Sequence, residues 1–283
     1  MLTRLKSVRS IVAAAILIGV GGIFIPGAAP VGAAGPVCGG GVQMKTRTVA
    51  WTCTFDDEFN GTSINRALWT VQKTSDLGFR AGDGCVVDNP RTVSESKGYL
   101  SLSDVRVPAS FSCAGPRGSF RTTWYAGSVF TRVFDQAYGR IAVRAKFPEA
   151  NGISGLQSAI WTYPRKMSAH NVLGGTTEID IAEAYSQRAD YVNPTVHKML
   201  RVSTQHCLVP DYGAAFHTYE VVWTPQRATF YYDGVACYSA GGTATNGPFL
   251  IALTQSLGIR TNIYSPLTPS LATMKVDWVR VWK

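Results

Sequence analysis

The chain has 283 residues, of which 46% are hydrophobic and 16% charged, so it holds enough apolar material for a sizeable core and global disorder is excluded. Its formal net charge is +9. The Lys and Arg residues are scattered and form no basic stripe or recognised binding motif, which argues against a nucleic-acid partner.

Residues 1–34 have the three-part layout of a secretory signal. Arg4, Lys6 and Arg9 precede an uncharged run from Ile11 to Ile25, and a stretch rich in small residues ends at Ala34, where cleavage is expected. An uncleaved anchor is the alternative, but Pro26 interrupts a short apolar core. The expected mature chain is extracellular or held in a cell wall, monomeric and without stable membrane association. Its expected parts are an N-terminal extension, 35–54, and a single domain, 55–283.

Cys38, Cys53, Cys85, Cys113, Cys207 and Cys237 all follow the signal. An even number in an exported chain predicts three disulfides with open connectivity; a metal site is the alternative, with no CxxC pair or clustered His to support it.

The elements that follow are strands. In YGRIAVRAKFP, Ile141, Val143, Ala145 and Phe147 alternate with polar or small residues. In TTEIDIAEAY, Glu178 and Asp180 share one face, and plain alternation puts Glu183 on the apolar one. A carboxylate there is costly, so one extra residue at Ile181 or Ala182 is expected to bulge and return Glu183 to the acidic side. The segment TYEVVWTPQRATFYYDGVACY reads as strands divided by Pro225-Gln226 and by the hairpin turn Asp233-Gly234. Phe249 to Leu253 reads as a strand buried on both faces. In MKVDWVRVWK, Val276, Trp278 and Trp282 are expected on one side with Arg280, and Val279 and Val281 on the other with Lys275 and Asp277. No stretch sustains helical spacing, and many short strands with Gly, Pro and Asp turns predict an all-β sandwich or barrel.

Three acids in one row raise the pKa of at least one of them. Glycoside hydrolysis uses that, needing one carboxylate nucleophile and one protonated carboxyl. A solvated acidic strand face paired to arginines is the plainer reading.

The motif EIDIAE resembles the catalytic signature of glycoside hydrolase family 16, laminarinase-like, in the form with two residues between Asp and the second Glu. DEFNGTSINRALW (Asp57 to Trp69), YGRIAVRAKFP, FHTYEVVWTP (Phe216 to Pro225) and VDWVRVW (Val276 to Trp282) resemble other segments of that family in the same order. The resemblance implies a jelly-roll β-sandwich of two curved antiparallel sheets with a concave substrate cleft. It implies Glu178 as nucleophile, Glu183 as general acid/base and Asp180 as the group that holds the nucleophile. The activity implied is endo-acting, retaining hydrolysis of a β-linked polysaccharide, with a β-1,3-glucan as partner and no required cofactor.

Trp161 matches the second Trp of the family's Gly-x-Trp-Pro-Ala-x-Trp segment, whereas Gln157 stands at the first. Trp161, Tyr163, Tyr185, Trp124 and Tyr125 are candidate sugar platforms, each weighed against a place in the core. His197 matches a cleft histidine, or is an ordinary hydrogen-bonded strand residue. Asp277, with a backbone oxygen near Gly98, is the candidate for a structural calcium ion, against a plain surface aspartate. A transglycosylase, a non-catalytic carbohydrate-binding sandwich and a structural wall protein are the competing functions.

Overall fold

The computed structural model describes residues 35–149, 151–165 and 175–283. The signal assigned to 1–34 lies outside them. Residues 36–283 form one compact unit, whose regular structure is nearly all strand; the α-helix Thr74–Leu77 has four residues. Among the described residues no helix is long and apolar enough to cross a membrane.

Two strand layers face each other, as the all-β sandwich expectation requires. One runs from Cys53–Asp57 through Leu271–Trp282, Gly139–Lys146, His217–Trp223 and Arg227–Tyr232 to Val235–Gly241, each antiparallel to the next. The other runs from Phe249–Leu257 through Leu156–Pro164, Thr176–Tyr185 and Thr195–Lys198 to Arg201–Thr204, again antiparallel. The long strand Gly118–Thr131 joins them, pairing at one end with Tyr99–Gly115 and at the other with Phe249–Leu257. A parallel pair, Gly84–Val86 on Gly118–Thr131, departs from the antiparallel pattern.

Alternation explains which side chains fill the space between. Ile141, Val143, Tyr219, Val221 and Val279 from one layer meet Ile160, Ile179, Ile181, Ile251 and Leu253 from the other in a single core. Every residue of Phe249–Leu257 is buried, in agreement with its unbroken apolar start. Asp233 and Gly234 both take positive φ, 48° and 78°, as the hairpin between Arg227–Tyr232 and Val235–Gly241 demands.

The C-terminal strand departs from simple alternation. Its register shifts between Val276 and Trp278, so Asp277 is an extra residue and the two faces exchange there. Val276 therefore points to the main core with Val279 and Val281, while Trp278 and Trp282 pack on the outer side with the Cys38–Cys53 corner. Asp277 does not fit the calcium expectation. Its carboxylate accepts from Arg144, so a guanidinium already supplies the positive charge a metal would bring.

Three disulfides form: Cys38–Cys53, Cys85–Cys113 and Cys207–Cys237. The first ties the N-terminal segment to the outermost strand, where Cys38 N also donates to Asp56 Oδ2 at 2.7 Å. The third joins the edge of the Thr176–Tyr185 layer to the hairpin strand Val235–Gly241 of the other.

Candidate active site

The acidic row is made by a one-residue bulge. Asp180 pairs with Trp161 and Ala182 with Ile160, which leaves Ile181 as the extra residue. Ile179, Ile181 and Ala182 enter the core, and the hydroxyl of Tyr232 pins the bulge by donating to Ile181 O at 2.8 Å. Glu183 and Tyr185 thereby return to the face of Glu178 and Asp180.

Each acid has its own surroundings. Asp180 is only 3% exposed, and its Oδ2 lies 3.0 Å from His197 Nε2. The same nitrogen is 3.7 Å from Glu178 Oε1, because His197 is register partner to Glu178 on the neighbouring strand. Glu183 Oε1 accepts twice, from Gln157 Nε2 at 2.8 Å and from the Tyr185 hydroxyl at 2.9 Å.

Burial raises the pKa of all three carboxyls. Glu178 is pushed up to about 8, first by desolvation and then by the charge of Asp180. Asp180 rises well above the usual carboxylate range, through desolvation and then Glu183. Glu183 is also raised by desolvation, but the Tyr185 and Gln157 donors oppose the rise. Glu178, Asp180 and His197 also bring ligand atoms within 4.8 Å of one another, close enough to chelate a cation, and the same atoms form the hydrogen-bonded acid cluster.

Two cavities meet at Glu183. One, of about 390 Å³, is lined by Glu178, Asp180, Glu183, Trp161, Gln157 and Phe79. The other, of about 380 Å³, is lined by Glu183, Tyr185, His197, Asn193, Arg188 and Arg260 among others. Together they make a cleft that continues on both sides of the acid.

Trp161 stacks on Tyr163 (4.5 Å between centroids) and runs nearly parallel to Phe79 (6.3 Å). Hydrogen bonds fix it: Trp161 Nε1 donates to Thr254 Oγ1 at 3.1 Å, Thr254 meets Ser128, Ser128 donates to Gln72, and Gln72 donates to the Tyr163 hydroxyl at 3.2 Å. Tyr163 thus backs the platform, with its hydroxyl pKa raised to about 12 by burial. Trp124 is a correction: it is fully buried, packed among Leu156, Leu257 and Ala272, and offers no face to a sugar. Its neighbour Tyr125 packs at a tilt against Phe111, 4.4 Å between centroids, and lines neither cavity.

Sequence reasoning missed several cleft residues. Gln157 read as a lost platform and is a donor to Glu183. The segment Phe79–Gly82 roofs one cavity, and it reaches the cleft because Gly82, at φ 60°, lies where a Cβ would stand 2.3 Å from Leu257 O. The two glycines of Gly82-Asp83-Gly84 were the available signal.

A profile of Glycosyl hydrolases family 16 matches residues 87–280. The chain belongs to glycosyl hydrolase family 16. Similar relatives of this family 16 chain include glucan endo-1,3-beta-glucosidase A1 of Niallia circulans, 28% identical over 81% of this chain and 37% of the relative. Another is keratan-sulfate endo-1,4-beta-galactosidase of Sphingobacterium multivorum, 26% identical over 85% of this chain and 58% of the relative. The chain thus spans between about a third and three fifths of these curated relatives. Among solved structures, the endo-beta-1,3-glucanase of Pyrococcus furiosus superposes with a TM-score of 0.71 at 22% identity, covering 86% of this chain and 97% of that one. That likeness establishes the fold.

Proposed function

We propose that this family 16 chain is a secreted, endo-acting, retaining hydrolase of a β-linked polysaccharide, most suited to a β-1,3-glucan, with Glu178 as nucleophile and Glu183 as acid/base. The observation that carries the reading is the meeting of two cavities at Glu183. A cleft open on both sides of the acid accepts a chain in mid-length, as an endo-acting enzyme requires. The glucan assignment rests on the resemblance and on the names of the glucanase relatives; the three disulfides support an oxidising, extracellular setting.

The cavity that holds Glu178 takes the sugar to be attacked, stacked on Trp161, and the one that holds Glu183 without Glu178 takes the leaving group. Glu178 and Asp180 share a proton. It belongs on Asp180, the more deeply buried of the two, which leaves Glu178 anionic and held by a hydrogen bond.

In the first step Glu178 attacks the anomeric carbon while the protonated Glu183 gives its proton to the glycosidic oxygen, and the leaving chain departs. In the second, Glu183 takes a proton from water, the hydroxide oxygen bonds to the anomeric carbon, and the ester to Glu178 breaks. Both Gln157 and Tyr185 donate to Oε1 of Glu183, so the transferred proton sits on Oε2.

The test is release of reducing ends and loss of viscosity on a β-1,3-glucan. Glu178→Gln and Glu183→Gln should each fold and lose on the order of 10²–10⁴-fold in rate. Near-normal turnover by either folded variant removes the assignment. Transfer to an added sugar acceptor with no free reducing ends would make the chain a transglycosylase.

A further inference from the structure

The leaving-group side of the cleft carries a charge pattern that a neutral sugar chain does not need. Arg188, Arg260 and His206 line it, and Glu183 is the sole carboxylate among its lining residues. Six guanidiniums elsewhere pair with carboxylates: Arg66 with Asp88, Arg80 with Asp83, Arg140 with Glu220, Arg144 with Asp277, Arg165 with Asp135 and Arg280 with Glu58. Among the described residues, no carboxylate pairs with Arg188 or Arg260.

The Arg188 side chain is placed by its neighbours, and Arg260 by its backbone. Asn193 donates through Nδ2 to Glu183 O at 3.1 Å, which turns its carbonyl oxygen toward His206 Nδ1. A carbonyl only accepts, so Nδ1 carries the hydrogen and Nε2 is free to accept from Arg188 Nη1 at 2.5 Å. Arg188 is thereby linked through two side chains to the backbone of the acid itself.

Arg260 opens the 3-10 turn Arg260–Asn262 at φ 54°, a left-handed conformation that long side chains rarely adopt. The turn is nailed down by Asn262, which is 1% exposed and donates to Leu156 O at 2.8 Å. Such strain, roughly 1–3 kcal/mol in general, persists where the surroundings over-determine the position.

We propose that this lobe is a subsite for a sugar bearing a carboxylate or a sulfate, on the leaving-group side of the scissile bond. Guanidinium groups match both anions in geometry and charge, and here neither has a carboxylate partner among the described residues. The position relative to the scissile bond rests on Glu183 being the acid, as proposed above.

The test uses three β-1,3-linked glucose pentasaccharides: one neutral, one with a glucuronate and one with a sulfated glucose in the half nearer the reducing end. At low salt the ratio of kcat/KM, anionic over neutral, should exceed one by on the order of tenfold. It should fall toward one in the Arg188→Gln/Arg260→Gln double variant, and toward one at high salt. The larger response, carboxylate or sulfate, identifies the anion. A ratio at or below one in the unaltered protein overturns the proposal, as does an equal loss on neutral and anionic substrates in the double variant, which would mean the arginines only tune Glu183. Calorimetric binding to the Glu178→Gln protein reads the lobe separately from hydrolysis. Tighter binding of the anionic sugars that the double variant loses keeps the subsite even where no substrate is cleaved; equal binding of all three removes it.

Discussion

Gln157 and Glu183 face each other across two paired strands, with the amide of Gln157 donating to Oε1 of the acid at 2.8 Å. Gln157 is also the register partner of Tyr185, the second donor to the same oxygen. A position that resembles a sugar platform in the family therefore serves here to hold the acid.

Removing that donor has a signed consequence. A hydrogen bond to the carboxylate favours its charged form, so Gln157→Ala should raise the proton affinity of Glu183. The alkaline limb of kcat/KM, where the acid loses its proton, should move to higher pH by about half to one unit. A pH profile checks it, and a limb that stays or moves down contradicts the clamp.

Trp161 and Trp124 should separate cleanly. Trp161→Ala removes a partly exposed platform, so KM should rise on the order of tenfold with the melting temperature little changed. Trp124→Ala empties a fully buried site and should cost about 3–5 kcal/mol of stability. Thermal unfolding alongside Michaelis kinetics distinguishes them, and the reverse pattern would return Trp124 to the cleft.

Much of this was legible in sequence, for reasons that differ between elements. The two-residue period of Ile141–Phe147 translates directly into a half-buried strand, and the cost of a carboxylate on an apolar face located the bulge between Asp180 and Glu183. The same reasoning failed at Asp277, because no neighbouring residue made the bulge there energetically necessary. Trp124 was ambiguous because a tryptophan on a strand fits a core and a platform equally; only the partner layer decides. Gln157, Arg188 and Arg260 were illegible because their meaning lies in register and in loops distant in sequence, 157 against 185 and 260 against 188.

Asp104, which lines neither cavity, gives a separate prediction. It is fully buried, accepts from Gln255 Nε2 at 2.8 Å, and leaves Oδ1 without a partner. Desolvation pushes its pKa up to about 8. The folded state therefore keeps a proton that the unfolded chain releases near pH 4. Its stabilising contribution is complete below the unfolded pKa and is lost as pH rises toward 8, at up to about 1.4 kcal/mol per pH unit. Unfolding followed between pH 5 and 8 should show stability falling with pH, and Asp104→Asn should flatten that slope; an unchanged slope in the variant would place the effect elsewhere.

The central claim is double displacement through Glu178, and the anomeric configuration of the first-formed product tests it most directly. Carboxyl groups about 5–5.5 Å apart leave no room for water beneath the sugar and give a glycosyl-enzyme, whereas inversion needs roughly 6.5–9.5 Å. Proton NMR of a β-1,3-glucan digest, read before mutarotation, should show the β-anomer first. Initial release of the α-anomer would contradict the roles assigned to Glu178 and Glu183.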